Sequence, residues 1–213
     1  VSDAKPRSPH GVGRRVPLID GVAKVTGRSV YTDDIRLPGM LVGKILRSPW
    51  PHARIVSIDT SKAASIPGVR GIVTGDASLA KFGVLPISKD EVALAVGKVL
   101  YVGDCVAGVA ADDEEVALAA LEAIDVEYEQ LRAFLKPEDA LEDVDPELKL
   151  HPETRHRSNL QKQVDQEFGD VDAAFAKAAY VAEGDFRFVG VTHAFTEPHC
   201  VIASSEADGR LTV

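Results

Sequence analysis

Asp20-Gly21-Val22-Ala23-Lys24-Val25-Thr26-Gly27 leads, in order, to Tyr31-Thr32-Asp33-Asp34-Ile35, Arg47-Ser48-Pro49, His52-Ala53-Arg54-Ile55 and Asp59-Thr60-Ser61-Lys62-Ala63. Read locally, Asp20-Gly21 and Thr26-Gly27 predict two turns around a small strand. Met40 to Arg47 predicts a strand, and His52 to Ile58 a second one, separated by the Ser48-Pro49-Trp50-Pro51 corner. Two prolines remove two backbone donors there, so the corner cannot lie inside a ladder. Asp59 and Thr60 offer N-caps for a short helix through Ile66, and Pro67-Gly68 ends it. Asp33-Asp34 predicts a turn or an ion pair.

Downstream, Val69 to Thr74 reads as a strand and residues 75–98 as a mixed connection. Val99 to Val102 and Cys105 to Ala110 read as strands around the turn dipeptide Gly103-Asp104. Asp112 and Asp113 predict the cap of a helix through Ile124, with Glu114 and Glu115 favoured by its N-terminal dipole. Ala117, Ala120, Leu121 and Ile124 recur at helical spacing and predict one face against a sheet. Val126-Glu127-Tyr128-Glu129 alternates as a strand does. The expected organisation is an irregular arm at 1–19, a first domain at 20–135, an acidic linker at 136–165, and a second unit at 166–213. That unit opens with a helix capped by Asp170, its apolar face formed by Val171, Ala174, Phe175 and Ala178. Strands are expected at Tyr180–Val189, His199–Ser204 and Leu211–Val213, the last suggesting a chain cut inside a β-rich unit.

Charge is unevenly placed. Residues 1–30 carry six Lys/Arg against two Asp, a local +4. Residues 111–150 carry fourteen Asp/Glu against three Lys/Arg, a local −11, within a net charge of −9. An acidic chain without a basic stripe repels phosphate backbones, which argues against nucleic acid as a partner. No apolar run approaches the roughly 18–20 residues that span a bilayer. The Arg14-Arg15 pair is followed too quickly by Asp20 to continue as a targeting signal. No membrane association and a cytoplasmic location are expected.

Cys105 and Cys200, without a Cys-x-x-Cys, supply too few grouped ligands for an iron–sulfur cluster or structural zinc and are expected as buried thiols. Phosphate-binding glycine loops are missing; Gly11-x-Gly13 follows no strand. Polar chemistry concentrates in Gly190-Val191-Thr192-His193-Ala194-Phe195-Thr196-Glu197-Pro198-His199-Cys200. On a strand His193, Phe195 and Glu197 would share a face. His193 and Glu197 would then stand roughly 13 Å apart, too far to share one ion. No metal site and no Ser/His/Asp constellation is predicted.

As an ordered set, the phrases from Asp20 to Ala63 resemble the opening of the large, molybdenum-cofactor-binding subunit of the xanthine oxidase family of molybdenum hydroxylases. The likeness continues through Pro67-Gly68-Val69, Tyr101-Val102-Gly103-Asp104-Cys105-Val106-Ala107 and Glu167-Phe168-Gly169-Asp170-Val171. Phe82-Gly83-Val84-Leu85-Pro86-Ile87 is most like the branch containing 4-hydroxybenzoyl-CoA reductase, with aldehyde and carbon monoxide dehydrogenases as cousins. The resemblance implies an α+β fold: an α/β-hammerhead domain over 20–135, then the beginning of a molybdopterin-binding domain over 166–213, in a subunit several times longer.

It also implies an oxidoreductase acting on an aromatic, aldehyde or acyl-CoA-type substrate, including a reductive dehydroxylation. The implied partners are the remaining part of the molybdopterin-binding subunit plus iron–sulfur and flavin subunits. The implied cofactors are a molybdenum–pterin group shared with that remainder, and iron–sulfur clusters and FAD on the partners. Gly190 and Val191 fall near the implied molybdenum site, where many members place a glutamine; valine cannot donate that hydrogen bond. No catalytic residue is implied within 1–213, and the chain alone is expected to be inactive. The alternative is a non-catalytic hammerhead module serving subunit assembly or protein interaction.

Overall fold

The protein is described by a computed structural model covering residues 15–78, 80–83 and 89–213. Most of the arm, including Gly11, Gly13 and Arg14, lies outside the described residues, as do Val84 to Ile87 of the branch-like segment. Two compact units are present: Gly39–Ala182, and the described residues up to Pro38 together with Glu183–Val213.

In Gly39–Ala182, β1 (Val42–Arg47), β3 (Val69–Thr74) and β5 (Cys105–Ala111) form an antiparallel sheet in the order β1-β5-β3. A second antiparallel sheet runs β4-β2-β6, from β2 (Ala53–Asp59), β4 (Lys98–Val99) and β6 (Asp125–Gln130). Two helices, α2 (Ser61–Ala64) and α3 (Glu114–Ala123), pack on the first sheet and on each other. Strand β5 is central because its alternation serves two cores. Ala107 and Val109 join Ala63, Ala120 and Ile124 beneath the helices. Val106 instead joins Ala53, Ala95 and Val99 beside Trp50, Ile55 and Tyr128.

The helical face expected at Ala117, Ala120, Leu121 and Ile124 is buried or partly buried. Asp113 caps α3, its carboxylate accepting from the Val116 amide at 2.8 Å, while Asp112 forms a bidentate pair with Arg70. Asp113→Ala should therefore cost about 1 kcal/mol of unfolding free energy, typical of a lost N-cap. Asp112→Ala, which removes an exposed pair, should cost less. Denaturant titration of the two variants would expose a reversed order.

Three expectations need correction. The Asp20–Gly27 segment is a short helix, α1 (Gly21–Val25), not a strand between turns. Asp20 and Lys24 pair at 2.6 Å across one helical turn, the Lys24 amide bonds the Asp20 carbonyl, and Gly27 takes φ +67° where the helix ends. The strand expected over Val99 to Val102 is only the two-residue β4, which joins β2, whereas β5 beyond Gly103-Asp104 joins β1 and β3. Asp104 directs the chain between sheets, because its carboxylate accepts from the Leu100 amide and its carbonyl from the Ser48 amide.

Third, the strands expected across Tyr180–Val189 and His199–Ser204 reduce to β7 (Ser204–Ser205), which pairs with β8 (Leu211–Thr212). A strand persists only where its amides and carbonyls find a ladder partner. Among the described residues none runs beside 180–203, and Phe186 and Phe188 stand exposed. The Asp170-capped helix does form, as α4 (Val171–Lys177), with the Asp170 carboxylate accepting from Ala173 at 2.9 Å. Its apolar residues Val171 and Phe175 remain exposed.

Candidate functional site

In the unit containing Glu183–Val213, the chain from Gly190 to Cys200 is irregular rather than extended. Ala194 adopts φ +47°, unusual for a residue with a Cβ, and breaks the strand periodicity. The His193 ring stacks on Phe195 with centroids 5.4 Å apart, and His199 meets Phe195 edge-on at 5.2 Å. Glu197, Pro198, His199 and Cys200 line an open depression of about 330 Å³ with Thr32, Phe195 and Thr196. Beside Thr32 the Asp33-Asp34 pair forms the expected turn, with the Asp34 carboxylate accepting from the Tyr31 amide at 2.9 Å.

This surface offers imidazole, carboxylate and thiol groups but does not converge them on one point. Among the described residues no three His, Cys, Asp or Glu side chains are placed to hold an ion. Gly190 has open space where a Cβ would stand, and Val191 is 90% exposed. Cys200 is exposed and Cys105 half-buried, against the expectation of two buried thiols. The Cys105 sulfur accepts from Arg47 at 3.4 Å, so it has a charged neighbour rather than a purely apolar pocket.

The unit Gly39–Ala182 holds buried polar groups that periodicity did not disclose. His52 is 2% exposed and sits where the proline corner enters β2. Its Nδ1 lies 2.7 Å from the Arg132 carbonyl. Burial in particular, with the positive field of Lys98 added, pushes its pKa below the ordinary value; the Arg132 bond partly opposes this. Lys98 donates from Nζ to the carbonyls of Glu147 and Lys149, both at 2.8 Å, and so holds residues 146–149 against β4. Burial and then Arg54 lower the pKa of Lys98, while Glu147 raises it. Arg54 ties the same region together through Glu129 and Glu147. The only sequence hint of these contacts was cations and a histidine within strand-like runs.

The aldehyde oxidase and xanthine dehydrogenase a/b hammerhead domain matches residues 26–132. The molybdopterin cofactor-binding domain matches residues 150–213. The chain is 39% identical over 196 residues to a probable xanthine dehydrogenase subunit of Bacillus subtilis, covering 91% of this chain and 25% of that one. It is 38% identical over 204 residues to the nicotinate dehydrogenase large molybdopterin subunit of Eubacterium barkeri, covering 95% and 46%. Among solved structures, the aldehyde oxidoreductase of Desulfovibrio gigas superposes with a TM-score of 0.64 at 33% identity, over 77% of this chain and 19% of that one. A Cu,Mo-CO dehydrogenase superposes at 0.62 and 34% identity, over 79% and 23%. The chain thus spans between a quarter and about half of those two curated relatives.

Proposed function

Because the chain belongs to the aldehyde oxidase and xanthine dehydrogenase family of molybdenum hydroxylases, we propose that it is the N-terminal portion of a molybdopterin-binding subunit. Residues 20–135 act as its hammerhead domain, residues 136–165 as the connection, and residues 166–213 as the start of the cofactor-binding domain. The observation carrying this reading is the succession of the two family matches along one chain. The sheets and helices of Gly39–Ala182 supply the scaffold, and the exposed apolar side chains of residues 180–201 supply surface for further strands of the same subunit.

The assembled enzyme acts on an aromatic, aldehyde or acyl-CoA-type substrate, with a 4-hydroxybenzoyl-CoA-type dehydroxylation as the specific candidate. The molybdenum–pterin group would supply the redox chemistry when bound, and the iron–sulfur and flavin subunits would exchange electrons with it, taking them from an oxidised substrate or delivering them for a dehydroxylation. Gly190 and Val191 lie on the approach to that group. A Cβ at Gly190 would meet open space, Val191 is exposed, and neither side chain carries a hydrogen-bond donor.

Affinity purification of the native assembly through a tag on this chain tests the reading. Molybdenum stoichiometric with the chain is expected, together with iron and FAD on co-purifying subunits. A substrate panel of purines, nicotinate, aldehydes, carbon monoxide and 4-hydroxybenzoyl-CoA then assigns the chemistry. An assembly free of molybdenum and of redox partners would overturn the proposal in favour of a non-catalytic hammerhead module.

A further inference from the structure

A buried histidine holds the end of the second sheet to the segment that follows it. The His52 carbonyl accepts from the Leu131 amide at 3.0 Å, and His52 Nδ1 meets the Arg132 carbonyl at 2.7 Å. A carbonyl can only accept, so Nδ1 must carry the hydrogen, and in the neutral ring Nε2 is then a bare lone pair. Nε2 is buried and has no hydrogen-bond partner among the described residues. Phe134 lies 6.3 Å from the imidazole, centroid to centroid, and the Arg132 guanidinium lies over Phe134 at 5.1 Å while pairing with Glu142 at 2.8 Å. The charged group acting on the ring is the cation Lys98 of β4; Arg132 meets the ring through its backbone carbonyl. None of the carboxylates among the described residues bonds the ring.

We infer that His52 is an acid-operated latch, in which proton uptake at Nε2 releases residues 131–134 from the start of β2. A proton there creates a buried cation and a buried N–H donor with no acceptor, in the positive field of Lys98. Opening the clamp hydrates the imidazolium and relieves both. The sign follows from linkage. The released histidine binds its proton near the ordinary value of 6.5, and the closed one at lower pH. The open state therefore holds more protons as the pH falls below that value, and closure weakens across that window. Above it the latch is fully shut.

Hydrogen–deuterium exchange on the chain in its purified assembly, corrected for intrinsic rates, tests this at about pH 7.5 and about pH 5. Protection of the Leu131 amide, measured relative to β5, should fall by roughly tenfold at the lower pH. The variant His52→Asn keeps an amide donor close to the position of Nδ1 but cannot titrate. Its Leu131 protection should be equal at the two pH values. Should that variant fail to fold, NMR titration of the wild-type imidazole decides. Ring protonation coincident with loss of Leu131 protection supports the latch; protonation with protection intact overturns it. Unchanged relative protection in the wild type across the same pH range also overturns it.

Discussion

Gly75→Ala should lower the unfolding free energy by about 3 kcal/mol, the upper part of the range for overpacked interiors. Gly75 is buried just after β3, where a Cβ would stand 2.4 Å from the Ala95 carbonyl oxygen and 2.7 Å from a Val96 methyl. Real atoms do not approach so closely, and the nearest obstacle is backbone, which cannot rotate away as a side chain can. Ala95 is itself 5% exposed and donates its amide to the Cys105 carbonyl at 2.7 Å. Relief of the clash would push on the register through which β5 joins the first sheet. For a unit of this size the loss should appear as a fall of roughly 10 °C in melting temperature. Gly71→Ala is the control: a Cβ there meets nothing within 4 Å, on an exposed position of β3. It should leave the melting temperature nearly unchanged or raise it slightly, since alanine also restricts the unfolded chain. Scanning calorimetry giving equal losses for both variants would refute steric exclusion at Gly75.

The second large effect concerns the contact between the helices and the first sheet. Ala63 of α2, Ala107 of β5 and Ala120 of α3 all have 0% exposure, and they set how closely the three elements approach. Ala120→Leu adds bulk to a space already filled by Ile72, Leu121 and Val109, among others. The helix must lift or neighbouring side chains must leave their rotamers, at a cost of about 2 kcal/mol. Leu118, on the same helix, is 47% exposed, and Leu118→Ala should change stability by less than about 0.5 kcal/mol. Chemical denaturation distinguishes them. If Ala120→Leu unfolds at the wild-type midpoint, the three alanines do not set the spacing.

Both predictions turn on size, which hydrophobic patterning does not encode. Helical spacing placed Ala117, Ala120, Leu121 and Ile124 on one face, and that face is inward. The spacing says only that these positions are apolar. That Ala120 must stay small follows from the distance between α3 and β5, which is a property of packed elements and not of either one alone. Gly75 is a similar case: beside Asp76 it reads as an ordinary turn residue, and only the approach of Ala95 makes it indispensable.

The candidate functional stretch was legible as chemistry but not as geometry. His193, Glu197, His199 and Cys200 stand out in any reading of the chain, and His199 and Cys200 open one of the expected strands. The chain there is irregular instead, with Ala194 in the left-handed region. A strand is a partnership, and its local signal is void where no neighbour supplies the ladder. His52 shows the opposite failure. Locally it is the first residue of a strand; its burial, its bond to Arg132 and its bare Nε2 arise from chain eighty residues away.

The sequence by itself determined the order of elements in the first unit, the two aspartate-capped helices at Asp113 and Asp170, and, through an ordered set of short phrases, the family. Those signals are local, carried by turn residues, caps and periodicity that act within a few positions of one another. The tertiary structure alone decided which strands pair, which alanines and glycines tolerate no added carbon, and which polar side chains are sealed from water. Those properties depend on distances between residues far apart in the chain, which no local pattern fixes.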